Sequence, residues 1–186
     1  MLSSLCNNLI ALIALSLQLI SLWKNRRLLD VEIDESILSM SGKDMYVNGK
    51  KDIFDAPLCF LGSIKVINPS LQKNITYFDL QAINPQTGQN LALITKQCFP
   101  VAVGSEVSVE IDKKIINLEL PANSHGVFMN NSFTHFDVLI YEQDPQSYGD
   151  KIVVSFKTLL ASKRKKYQTY ERTFVLHSAK SVNHTE

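Results

Sequence analysis

His135-Phe136-Asp137-Val138-Leu139-Ile140, HFDVLI, places Phe136, Val138 and Ile140 on one side and His135, Asp137 and Leu139 on the other. Alternation with a period of two is the pattern of a strand, whose successive side chains point to opposite faces. The same period recurs on both sides of this stretch. Toward the N-terminus, Ile116, Leu118 and Leu120 alternate with Asn117 and Glu119, and Val107, Val109 and Ile111 with Ser108 and Glu110. Thr76, Phe78, Leu80 and Ala82 alternate with Tyr77, Asp79 and Gln81, and Leu58, Phe60, Ile64 and Val66 with Ser63 and Lys65. Val31 and Ile33 flank Glu32. Toward the C-terminus, Ile152, Val154 and Phe156 alternate with Ser155 and Lys157, and Thr169 to His177 puts Phe174 and Leu176 on one face.

Turn chemistry separates these runs: Val-Asn-Gly at 47–49, Asn-Pro-Ser at 68–70, Asn-Pro-Gln-Thr-Gly at 84–88, Pro-Ala-Asn-Ser-His-Gly at 121–126 and Asp-Pro-Gln-Ser-Tyr-Gly at 144–149. Asn-Pro and Asp-Pro open turns, and glycine supplies positive φ. Short strands that each bury one face predict an all-β fold, a two-sheet antiparallel β-sandwich spanning residues 28–178. Residues 179–186 form a polar tail.

Residues 1–27 read differently. Leu2 to Trp23 is a run of 22 residues without a charged side chain. As a helix it rises about 33 Å, enough to cross a hydrocarbon core. It has no basic start and no small-residue cleavage site, as a secretory leader would. It also lacks the charged face of an interfacial helix. It is predicted to be a single transmembrane anchor. Trp23 is placed as an interfacial aromatic, and the basic flank Lys24, Arg26 and Arg27 predicts an outside N-terminus and a cytoplasmic C-terminal domain. Ser4, Gln18 and Ser21 offer hydrogen bonds for self-association of the anchor within the membrane, or to their own backbone.

Net charge is +1. Lys24, Arg26 and Arg27, with Lys163, Arg164, Lys165 and Lys166, leave 12 basic against 18 acidic residues elsewhere, −6. A mildly acidic body argues against nucleic acid as a partner. The 163–166 cluster falls between two predicted strands, as a soluble turn or as a contact with anionic lipid headgroups. Cys6, Cys59 and Cys98 make no disulfide framework and no zinc spacing, which suits a reducing compartment.

The run Ile64-Lys-Val-Ile-Asn-Pro-Ser70, followed by the strand from Ile75, resembles immunoglobulin-like and fibronectin-III-like sandwiches, and also membrane-anchored late-embryogenesis-abundant type 2 domains. The resemblance covers about 40 residues and carries no activity. Ser132, His135 and Asp137 suggest a catalytic triad by residue type, but one strand gives all three no common geometry, so a solvated strand face is expected. His125 is expected to be a turn residue. Asn74-Ile-Thr76, Asn130-Asn-Ser132 and Asn183-His-Thr185 match the glycosylation pattern and would matter only outside the cell. No cofactor or catalytic constellation is predicted. The expected function is a membrane-tethered, non-catalytic binding or scaffold module that meets membrane lipid and a protein partner. The alternative is an extracytoplasmic, envelope-associated or adhesive domain of inverted topology.

Overall fold

The computed structural model describes residues 10, 12–19, 29–51, 57–99, 106–159 and 167–176. Twelve strands lie among them: β1 (Asp30–Ile33), β2 (Leu38–Met40), β3 (Met45–Val47), β4 (Cys59–Asn68), β5 (Ile75–Ile83), β6 (Asn90–Ile94), β7 (Val107–Ile111), β8 (Lys114–Leu118), β9 (Gly126–Phe128), β10 (Ser132–Tyr141), β11 (Lys151–Leu159) and β12 (Tyr167–Val175). Every pairing between these strands is antiparallel. Nine strands form one sheet along the path β1-β4-β10-β6-β5-β11-β12, with β2 beside β4 and β9 beside β5. Strands β3, β7 and β8 form a second, smaller sheet.

The large sheet curls nearly into a barrel. A single apolar cluster fills its concave side and draws on every part of it: Ile64 and Val66 of β4, Phe136, Val138 and Ile140 of β10, Ile152, Val154 and Phe156 of β11, and Phe174 of β12. Val31 and Ile33 of β1 pack against the same cluster. The first and last strands of the path therefore share one interior, and Arg172 of β12 comes within 3.9 Å of Glu35, just past β1. Tyr77 stacks on Phe128 at 4.6 Å. Its ring lies so close to Gly126 that a Cβ there would sit 2.7 Å from it.

The all-β, antiparallel architecture expected from the alternation is present. The large sheet is two ladders joined through β6, whose Asn90 and Leu91 pair with β5 and whose Ala92, Leu93 and Ile94 pair with β10, and the small sheet packs on the outside of β4 and β10. Leu139 shows the consequence. On the alternation it faces outward, yet it is fully buried, because Met45, Val47, Val107, Val109 and Leu118 cover the outer face of β4 and β10 there. The middle of β10 is apolar on both faces for this reason.

Strand β5 departs from its predicted face. Pairing with β11 steps from Gln81–Ser155 to Phe78–Lys157, so β5 carries one extra residue. Asp79 takes φ 52° at this bulge, and the Leu80 N–H bonds the Ser124 carbonyl instead of the ladder. A bulge shifts the alternation by one. Tyr77 consequently points inward beside Leu80 and Ala82, and Phe78 turns out toward Tyr167. Ile116, expected on a buried face, is largely exposed on β8, the edge of the small sheet.

In the N-terminal segment, residue 10 and residues 12–19 are helical. Among the described residues no helix is long and apolar enough to cross a membrane. Ser16 Oγ donates to the Leu12 carbonyl at 2.7 Å, so this polar group is satisfied by its own helix.

Candidate functional site

Strand register sorts the wall into two ends. At one, Asp30 pairs with Ile67 and Asn68 with Ser132, Ile75 pairs with Phe128, and Leu159 with Tyr167. The chain arriving from the N-terminal segment joins the wall here, with Leu29 already buried. We call this the entry end. At the far end stand Cys59 and Tyr141, Ile83 and Asn90, and Lys151 and Val175.

An Asn-Pro pair closes each end. Asn68 is buried; its Nδ2 donates to the carbonyls of Lys73, Phe128 and Met129 at 2.9, 3.1 and 2.9 Å, and its Oδ1 accepts from Ser70 N–H. One side chain thus ties the carbonyl of Lys73 in the turn to those of Phe128 and Met129 at the end of β9. At the far end, buried Asn84 donates to the Ser147 carbonyl and accepts from Gln86 N–H. Tyr148 plugs the interior beside it. Its hydroxyl donates to the Leu58 carbonyl at 2.9 Å and accepts from Glu142 N–H at 2.7 Å, and its ring meets Phe60 edge-on at 4.8 Å. Burial pushes its hydroxyl well above the usual tyrosine range. Gly149 follows at φ 64°, packed against Asn84 and Gln86, where a Cβ has neither the space nor the backbone geometry.

The rims of the two ends differ in chemistry. Gln86 bonds Asp150, Asp144 caps the turn that leads to Tyr148, and Glu142 accepts from Ala92 N–H at the far end. The entry end gathers exposed apolar side chains among the polar ones of Asp30, Gln72, Lys73, Asn74 and Asn130. Ile67 and its cross-strand partner Phe133 are exposed on the outer wall, at 46 and 62%. Leu71 stands out at 70% on the turn that Asn68 holds. Val127 and Met129 are exposed beside it, and Leu159 and Tyr167 complete the rim. Of the eleven large apolar side chains exposed after residue 28 among the described residues, these are seven.

Two grooves are lined by described residues. One, of about 390 Å³, runs along the outer wall between Asp34, Ile37, Ser63, His135 and Asp137. Its polar groups are tied down. Asp34 accepts from Ser63 N–H and Oγ at 2.9 and 2.8 Å, and Asp137 accepts from Glu119 N–H at 2.7 Å. His135 lies 3.4 Å from Glu119 and 3.7 Å from Asp137. Ser132 Oγ instead donates to the Met129 carbonyl, so Ser132, His135 and Asp137 form no triad. These contacts staple the chain after β1 to β4 and the chain after β8 to β10. The second groove, of about 420 Å³, follows the unclosed seam between residues 35–39 and β12, with Phe60 and Phe174 at its floor. Among the described residues no cluster of His, Cys, Asp and Glu fits a metal ion. His125 lies exposed before β9.

Cys59 and Cys98 are both free thiols. Cys59 is fully buried, and desolvation pushes its thiol up to about 11. Cys98 is exposed and accepts from Thr95 N–H at 3.4 Å. The chain matches no protein-family model and no curated protein. The predicted site residues Trp23, Lys24, Arg26, Arg27, Lys163, Arg164, Lys165 and Lys166 lie outside the described residues. Their described neighbours in sequence, Leu29 on one side and Leu159 and Tyr167 on the other, all lie at the entry end. Sequence reasoning recognised the two Asn-Pro turns but not that both asparagines are buried, and it gave Tyr148 no role. The signal was present in the Asn-Pro pairs, since proline fixes the turn and leaves the preceding asparagine to satisfy its carbonyls.

Proposed function

We propose that this chain is a membrane-tethered, non-catalytic binding module, held by its N-terminal segment, with the antiparallel domain on the cytoplasmic side. The observation that carries the reading is the N-terminal helix. Ile10, Leu12, Ile13, Leu15, Leu17 and Leu19 are each more than half exposed, so none finds cover against the domain. An apolar helix without protein cover is stable in hydrocarbon and costly in water. The apolar run from Leu2 to Trp23 supplies the length for a crossing, and Lys24, Arg26 and Arg27 favour retention of that flank on the cytoplasmic side. Free Cys59 and Cys98 agree with a reducing compartment. The far end, with the polar loops around Gln86 and Asp144, is the surface this reading assigns to a protein partner.

The full chain is expected to sediment with membranes and to stay there in alkaline carbonate; release by carbonate would end the spanning reading. Exposed Cys98 reports sidedness in a Cys6→Ser background. Labelling by an impermeant maleimide only after lysis supports the cytoplasmic placement. Labelling of intact cells would favour the extracytoplasmic alternative.

A further inference from the structure

The apolar rim at the entry end has no role in the core. Ile67, Leu71 and Phe133 point away from the interior that Val66, Phe128 and Phe136 fill. Scattered exposed apolar residues need no explanation, but a set gathered at one end of a domain does. Asn68 bonds both the turn that lifts Leu71 and the Met129 carbonyl just past β9. The protruding side chains are thus held on a stapled frame.

Two observations fix the occupant. The first is connectivity. Asp30 is locked opposite Ile67, and only six residues separate Trp23, the end of the apolar run, from Asp30. Fully extended, seven residue steps reach about 25 Å, so the entry end is the part of the domain closest to whatever holds the N-terminal segment. The second is charge. The rim residues Leu159 and Tyr167 are joined by seven residues, outside the described ones, that include Lys163, Arg164, Lys165 and Lys166, against one carboxylate, Asp30, on β1 at this end, whereas the far end carries Glu142, Asp144 and Asp150 beside Lys151. Apolar side chains beside a basic sequence fit an anionic lipid surface, where tails accept the first and headgroups the second.

We infer that the entry end of the domain is a lipid-docking face, its exposed rim around Leu71 and Phe133 seated in the interfacial layer of the bilayer that holds the N-terminal segment. The inference rests on the membrane-tethered reading and adds an orientation to it: the domain stands on its entry end and turns the far end away from the lipid.

The test uses the full chain with Cys6→Ser and Cys98→Ser, in mixed phosphatidylcholine–phosphatidylglycerol vesicles; buried Cys59 is left in place. A single cysteine at position 71, 133 or 175 carries an environment-sensitive fluorophore, and the vesicles contain lipid spin-labelled near the headgroup. Val175 is the control, because it is as exposed as Phe133, 58 against 62%, but lies at the far end. We expect blue-shifted emission and several-fold stronger quenching for Leu71→Cys and Phe133→Cys than for Val175→Cys. Equal quenching at all three positions, in protein that floats with the vesicles, would overturn the docking face while leaving the tether intact. Protein that fails to float would remove the tethered reading and this inference together.

Discussion

The two ends of the wall solve one structural problem alike and present opposite surfaces. Each must close an apolar interior where the strands stop and backbone carbonyls lose their ladder partners. Each does so with a buried asparagine ahead of a proline, Asn68 or Asn84. Beyond that staple they diverge. The far end adds Tyr148 as a plug and surrounds it with Gln86, Asp144 and Asp150. The entry end surrounds its staple with Leu71, Met129 and Phe133. Closing a core therefore does not dictate the rim. On the proposed reading, the chemistry of each rim answers to what that end would meet, lipid or a protein partner.

The comparison is broken most severely at the far end. Tyr148→Ala should cost about 3–5 kcal/mol, the usual range for removing a buried aromatic, and Tyr148→Phe about 1–3 kcal/mol by leaving the Leu58 carbonyl and Glu142 N–H unpaired. Urea unfolding of the full chain in mild detergent measures both. If Tyr148→Ala unfolds like the parent chain, the ring is not the plug described. The staples come next. Asn68→Ala and Asn84→Ala should each lose about 1–3 kcal/mol, because each strands buried partners. A large loss at one and none at the other would show that the two ends are not closed alike.

Alkaline pH gives a smaller effect. The Cys59 thiol is raised by burial from 9.0 to about 11. An unfolded thiol ionises first, so this group leaves stability untouched below pH 9 and lowers it as pH rises from 9 toward 11. Against the parent chain, Cys59→Ala should flatten the decline over that window. Native maleimide labelling should modify exposed Cys98 and spare Cys59. The smallest effect on stability belongs to the entry rim: Leu71→Ser and Phe133→Ser should stay within about 0.5 kcal/mol of the parent. A clear loss of stability would make them core residues and remove the contrast between the ends.

How far the sequence carries depends on the range of the interaction. Alternation placed Phe136, Val138, Ile140, Ile152, Val154 and Phe156 on a buried face, because period two is written within one strand. It misassigned Thr76 to Phe78, since the bulge at Asp79 is a conformational choice that alternation does not encode. It gave no warning that Leu139 would be covered, because the cover comes from β3, β7 and β8, up to about ninety residues away in the chain. Strands β2, β3 and β9 have three residues each, too few to show a period. The gathering of Ile67, Met129, Phe133 and Tyr167 at one end depends on register across four strands, which no single stretch reveals.

The central claim, that the domain stands on its entry end, is tested most directly by distance from the bilayer. Strand β4 runs from one end to the other over ten residues, a rise of about 30 Å. The full chain, with Cys6 and Cys98 replaced by serine, is placed in lipid nanodiscs containing an acceptor-labelled lipid, with one donor at position 71 or at position 86. We expect strong energy transfer from position 71 and weak transfer from position 86, separated by a height difference on that scale. Equal transfer from the two positions, or stronger transfer from position 86, would contradict the account.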